Sequence, residues 1–274
     1  MRIAPLLLAA GLLLGATACS DATPKAAPTA TPTPPPTASA APTPPARGCY
    51  NLTYSEALAA TSDAKPVDCS QAHTVRTFYV GQADTLTAGG HLLAIDAEKV
   101  RQQMATTCPQ RFASYVGGST EERRLSMLSR VWFGPTLKES DAGQSWLRCD
   151  VIALASDGKL ARLGGKLEKV LDKADGRARW GRCATAKPGT RNAHQVICST
   201  DDAWRAVATV DVRAAAKGAF PGPKAADAAG AACEDKVRAH ASDKLSFTWG
   251  WTPPMKAQWD AGQHYGFCWA PGKQ

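Results

Sequence analysis

Nine cysteines hold most of the reactive chemistry in this 274-residue chain. Eight of them fall into two sets of four, Cys49, Cys69, Cys108 and Cys149, then Cys183, Cys198, Cys233 and Cys268. Their separations run 20, 39 and 41 residues in the first set and 15, 35 and 35 in the second. Thiols can bind metal, attack as nucleophiles or oxidise to disulfides. A zinc site needs closely spaced ligands such as C-x-x-C, and the sequence has no such pair. A nucleophile needs an unpaired thiol in an electropositive site, and matched sets of four leave none spare. An even number of cysteines in an exported chain reads as a disulfide framework made in an oxidising compartment. No metal site, catalytic residue or cofactor is therefore expected.

The ninth cysteine, Cys19, follows Arg2, an apolar run from Ile3 to Gly15, and the small residues Ala16-Thr17-Ala18. Residues 1–19 read as a lipoprotein signal peptide, with Cys19 as the lipobox thiol that is acylated before cleavage. Residues 20–46 contain nine of the nineteen prolines among Thr, Ala and Ser. That composition cannot offset ordering entropy by burial and favours an extended tether. At about 3.1 Å per residue it reaches roughly 80 Å. The expected location is extracytoplasmic, with a lipid anchor in the cell membrane. The formal net charge of +8 suits anionic neighbours such as headgroups or wall polyanions, and equally serves solubility. Nucleic acid is not an expected partner.

The elements that must position the cysteines are written twice. Trp132 to Cys149 returns as Trp251 to Cys268 with seven of eighteen positions identical and no gap: the tryptophan, a proline (Pro135, Pro254), Asp-Ala-Gly-Gln and the cysteine. An internal repeat is the strongest guide to architecture. In the first copy, Thr74 to Val80 reads as a strand. Asp96 is a plausible helix cap, and Val100, Met104, Cys108, Phe112 and Tyr115 recur at helical spacing until Gly117-Gly118. Leu125 to Phe133 reads as a strand, Asp141 to Gln144 as a turn, and Ser145 to Ala155 as the closing strand. Along it, Leu147, Cys149, Val151 and Ala153 share one face, so Cys149 points into the core. The second copy offers a strand at Trp204 to Val212 and an Ala-rich helix from Pro223 through Cys233. Its closing strands are Leu245 to Trp251 and Gln263 to Trp269. Residues 158–178 are a basic connector whose Leu163, Leu167, Val170 and Leu171 fit either a short helix or an extension of the strand before them.

Outside the cysteines, His73 stands four residues after Cys69 and fits either a polar contact or a locally satisfied loop histidine. His91, His194, His240 and His264 form no motif. No G-x-S-x-G elbow, P-loop, H-E-x-x-H or G-x-G-x-x-G is present. Trp132, Trp146, Trp249, Trp251, Trp259 and Trp269 flank the closing strands, where they either shield the disulfides or form a binding surface.

Each copy resembles the septum-formation domain of actinobacterial cell-envelope proteins. The resemblance lies in Val67 with Cys69 and the following His73, the helix cysteine Cys108, and Trp132 and Pro135 ahead of Gly143 and Cys149; the second copy lacks the histidine. It implies an envelope module associated with septation and without an established enzymatic activity. The expected fold is α+β, two tandem disulfide-stapled repeats (47–157 and 179–271), each a helix packed on a small, mainly antiparallel sheet. Four cysteines allow three pairings per repeat. The core-facing positions of Cys108 and Cys149 favour Cys49–Cys69, Cys108–Cys149, Cys183–Cys198 and Cys233–Cys268. The expected function is a non-catalytic lipoprotein presenting a binding module, with Trp132, Trp251 and His73 as the binding candidates. An envelope protein or cell-wall polymer is its expected partner. The alternatives are a wall-polymer or anionic-lipid binder and, last, an envelope hydrolase.

Overall fold

The computed structural model describes residues 43–156, 158–198, 204–216 and 219–272. The signal peptide, Cys19 and the tether through residue 42 lie outside the described residues. The first half runs β1 (Cys49–Tyr50), α1 (Tyr54–Ala57), β2 (Val75–Gln82), α2 (Glu98–Val116) and α3 (Thr120–Arg124). It continues with β3 (Leu128–Phe133), α4 (Leu137–Asp141), β4 (Trp146–Ser156) and β5 (Lys159–Leu160). The strands form an antiparallel sheet in the order β1-β2-β4-β3, with β5 added to β4. The amphipathic stripe of α2 packs onto that sheet: Val100, Met104, Cys108, Phe112 and Val116 are buried at steps of four. Gly117 and Gly118 then take φ of +74° and +69°, which ends the helix where a larger side chain would be strained.

After a 3₁₀ turn at Val170–Asp172 come α5 (Ala174–Arg179), β6 (Arg182–Ala184), β7 (Gln195–Ile197), β8 (Trp204–Asp211) and α6 (Arg213–Ala216). The chain closes with α7 (Pro223–Ala229), α8 (Ala231–His240), β9 (Gly250–Thr252), α9 (Lys256–Asp260) and β10 (Tyr265–Pro271). The second sheet, β7-β6-β8-β10-β9, is also antiparallel. In both sheets the strand that closes its half sits between that half's long strand and the short strand before it. The fold is thus mixed helix and strand on antiparallel sheets. Four disulfides mark an extracytoplasmic protein. Among the described residues no helix is long and apolar enough to cross a membrane.

Several local expectations are corrected. The Asp141–Gln144 segment does turn, at Ala142–Gly143, but the turn ends a short helix that was not expected. Thr136 and Glu139 form a capping box that starts α4. Gly143 at φ +89° ends it, with Gln144 N–H donating to Glu139 O at 2.9 Å and Gly143 N–H to Ser140 O at 2.8 Å. Gly262, at φ +88°, does the same for α9. Five residues are too few to show a helical period, which hides both helices from pattern reading. Helix α2 is capped at Ala97 rather than Asp96. The Ala-rich helix is broken at Gly230, and Leu245, expected in a strand, is 99% exposed ahead of β9.

Residues 158–178 are core as well as connector. Leu163, Leu167 and Leu171 are 3%, 0% and 0% exposed and pack with Phe112, Val116, Leu128 and Val151 on the α2 side of the first sheet. Trp180 closes the same cluster from the second half, and Ile197 packs against it. Backbone bonds cross the junction: Met127 N–H donates to Trp180 O at 2.7 Å and Arg182 N–H to Leu125 O at 2.8 Å. Glu121 accepts from Thr209 N at 2.6 Å and Thr209 Oγ1 at 2.5 Å. A leucine fully enclosed in a packed cluster leaves a cavity when truncated. Leu171→Ala should therefore destabilise the protein by about 2–5 kcal/mol in urea unfolding. A solvated linker position would shift by less than about 0.5 kcal/mol.

Candidate functional site

The eight cysteines from Cys49 on are bonded as Cys49–Cys69, Cys108–Cys149, Cys183–Cys198 and Cys233–Cys268, with Cα separations of 5.3, 5.4, 4.8 and 5.2 Å. In each half one bond ties the first strand to the loop or strand beside it, and the other ties the helix to the closing strand. None of these thiols is free to ligate or attack.

Beside the second of these staples lies an apolar groove of about 430 Å³. Trp132 comes from β3, where it pairs in register with Cys149. Met104 and Ala105 come from α2, Ile95 from the segment before it, and Gly134, Pro135 and Leu137 from the turn after β3. Gly134 lets this turn close onto the helix, since a Cβ there would sit 3.1 Å from Met104 Cε. Leu137 is 61% exposed at the mouth. On the polar rim, Glu98 accepts from Arg101 at 2.8 Å and from Gln102 at 2.9 Å, and Asp96 adds a second carboxylate. The Trp132 indole N–H makes no hydrogen bond among the described residues. The groove is thus apolar along its walls and charged at its rim.

Trp251 occupies the matching place on β9, in register with Cys268, and has a different environment. Its ring lies where Cβ atoms on Gly230 and Gly266 would come within 2.5 Å and 2.3 Å of it, and its Nε1 donates to Ala226 O at 3.2 Å. The ring therefore fills its own groove. Counted from the paired cysteines, Gly230 and Gly266 correspond to Ala105 and Leu147 in the first half, which carry side chains where the second half has none. Both binding candidates are half-buried, but Trp132 lines an open groove whereas Trp251 lies against Gly230 and Gly266 with its indole N–H bonded. Trp146, Trp259 and Trp269 are buried in the cores.

His73 is a loop histidine held by a local contact, and it is interior rather than available as a binding residue. It is 2% exposed, its Nδ1 lies 2.8 Å from Gln71 O, and its backbone bridges to Leu163 of the connector. The connector folding back over this loop puts it out of a partner's reach.

A polar cluster that pattern reading missed lies on the other face of β4. Arg148 and Asp150 alternate with the core-facing residues and so read as solvent positions, yet they are 2% and 0% exposed. Tyr50, Leu52 and Ala57 lie on this face and bury it. Arg148 Nε donates to Asp150 Oδ2 at 2.9 Å, and the guanidinium is held between the rings of Tyr50 (4.1 Å) and Phe133 (4.5 Å). Thr77 faces Asp150 across the sheet. Burial pushes the Asp150 carboxyl up to about 6, outweighing the neighbouring Arg148 charge. In the second sheet the residues matching Arg148 and Asp150 are Phe267 and Trp269, in an apolar cluster.

Compared with known families, the chain matches the family described as "Septum formation" over residues 19–134 and again over residues 48–268. No curated protein and no solved structure matches it.

The Asp150 shift sets a pH dependence. A carboxyl whose pKa is higher folded than unfolded stabilises the fold fully below its unfolded value near 3.8, and that contribution disappears as pH rises past about 6. In urea unfolding, the stability of the native protein relative to Asp150→Asn should fall by up to about 3 kcal/mol between pH 3.5 and pH 7. A constant difference across that range would refute the buried, strained carboxyl.

Proposed function

The chain belongs to the septum-formation family, and from that membership we propose that it is a non-catalytic lipoprotein that binds an envelope protein through the Trp132 groove. The two halves are read as two copies of one module. In this reading the second copy has closed its groove with Trp251, and the first has kept it open. Cys19 carries the lipid, and residues 20–46 let the folded body stand off the outer face of the cytoplasmic membrane. The role has no chemical step: it consists in holding a partner near the membrane, in keeping with the association of the family with septation.

The single observation that supports this reading is the open, apolar, tryptophan-walled groove. Its volume of about 430 Å³ suits one or two side chains of an extended segment, and tryptophans in such positions often dominate binding energy. A polymer of sugars and phosphates would gain little from walls made of Ile95, Met104, Pro135 and Leu137.

The test is a photo-crosslinker placed at Leu137 in cells. It should give a discrete adduct with an envelope protein, and Trp132→Ala should reduce that adduct at least about tenfold, as expected for a hot-spot tryptophan. Trp251→Phe, a change inside the packed copy, should leave the adduct intact. An adduct indifferent to Trp132→Ala would refute the groove as the binding site. As the localisation arm, Cys19→Ala should shift the protein from the membrane fraction to the medium; continued membrane retention would refute the lipid anchor.

A further inference from the structure

A second cavity, of about 510 Å³, opens between the two halves, where α3 and the start of β3 face Gln195, Gln258, Gln263 and Tyr265. Four arginines line it, Arg123, Arg124, Arg130 and Arg182, and no carboxylate does. Two of these arginines are structural. Arg123 donates to Gly117 O at 3.3 Å, to Gly118 O, and to Thr120 Oγ1 at 3.1 Å, which holds the end of α2 against α3. Arg182 donates to Ser126 O at 3.0 Å and to Gln195, tying the halves together. The other two are uncommitted: neither Arg124 nor Arg130 makes a hydrogen bond or ion pair among the described residues. The Arg124 guanidinium lies 4.0 Å over the Tyr265 ring, which orders the side chain without using its donors. Asp211, whose charge interacts with Arg124, is bonded to Arg213 at 2.9 and 3.0 Å and does not line the cleft.

Two guanidiniums without hydrogen-bond partners, Arg124 held over Tyr265 and Arg130 exposed, line a cleft to which no carboxylate contributes, which suits an anion with several oxygens, and planar forks match phosphate best. The rest of the lining is part apolar, with Phe112, Met127 and Leu128, and part polar, with Ser129 and with Gln195, Gln258 and Gln263, each of which has one amide end bonded within the protein and the other left to meet a hydroxyl group. We propose that this cleft binds a phosphate ester of a polyol, the phosphate on Arg124 and Arg130 and the hydroxyls on the glutamine side. The cleft is concave and lies between the two halves, so a flat bilayer surface does not fit it. The site is independent of the Trp132 groove and shares no lining residue with it.

The experiment is calorimetric titration of the full chain at low salt with four probes: inorganic phosphate, glycerol 3-phosphate, poly(glycerol phosphate) and phosphatidylglycerol vesicles. Glycerol 3-phosphate should bind saturably and more tightly than inorganic phosphate, and added salt should weaken it. Arg130→Gln, on an exposed side chain, and Arg124→Gln should each weaken it about tenfold, and the double variant should abolish it. Unchanged thermal unfolding of Arg130→Gln separates loss of the site from loss of fold. Polymer binding tighter than the monomer assigns the ester to a polymeric source, and equal binding assigns it to a free one. Absence of saturable binding by either ester, binding unchanged in both variants, or binding to vesicles alone would overturn the proposal. Trp132→Ala should leave ester binding unchanged, so the two sites fail separately.

Discussion

A disulfide from a helix to a central strand is the constraint on which each half depends. Cys108 lies at the centre of the buried stripe of α2, and Cys149 lies on β4, which has β2 on one side and β3 on the other. Their bond fixes the helix across the sheet and sets the depth of everything beside it. Cys233 and Cys268 do the same for α8 and β10. The strand that precedes β4 or β10 always places a tryptophan opposite the bonded cysteine, so each staple carries an indole at its edge. Such a bond also narrows the unfolded ensemble, which matters for sheets of only five strands.

With the staple fixed, a few small residues decide what each half can do. Gly230 and Gly266 let Trp251 lie flat over its helix and strand, and its Nε1 is satisfied by Ala226 O. In the first half Ala105 and Leu147 stand at those two positions. The same tryptophan thus becomes a packing residue in one half and the wall of a groove in the other. The closing strands diverge in the same way: Arg148 and Asp150 form a buried ion pair where Phe267 and Trp269 form an apolar core. A buried pair of this kind gives up much of its Coulomb energy to desolvation. It is tolerated where two aromatic rings hold the guanidinium.

The halves also act as one body. The connector leucines, Trp180 and the bonds around Ser126 and Gly181 join the two sheets through a shared cluster. That junction creates a surface that neither half possesses alone. The arginine-lined cleft arises there because α3 and β3 of one half meet α9 and β10 of the other. The apolar groove lies wholly within the first half, which is why the two surfaces can serve different ligands.

Much of this was readable without coordinates. The spacing of the cysteines, the alternation along β4 and the four-residue stripe of α2 are local consequences of backbone period, so the sequence by itself determined the helix and sheet classes and placed Cys108 and Cys149 on facing surfaces. The family resemblance rested on the same spacing. Trp132 could be picked out as a binding candidate, and the Gly230 and Gly266 replacements that distinguish Trp251 from it are visible in the sequence once the cysteines are aligned. What the tertiary structure decided is which faces are covered. His73 and the Arg148–Asp150 pair look solvent-facing by local pattern, and are interior because distant segments fold over them. The leucines of residues 158–178 look like a linker's and are core for the same reason. Arg124 and Arg130 look like ordinary surface charges and share a cleft only because two sheets meet there. Periodicity reports the direction of a side chain from its own backbone; burial depends on the segment that arrives opposite, and that is a property of the whole fold.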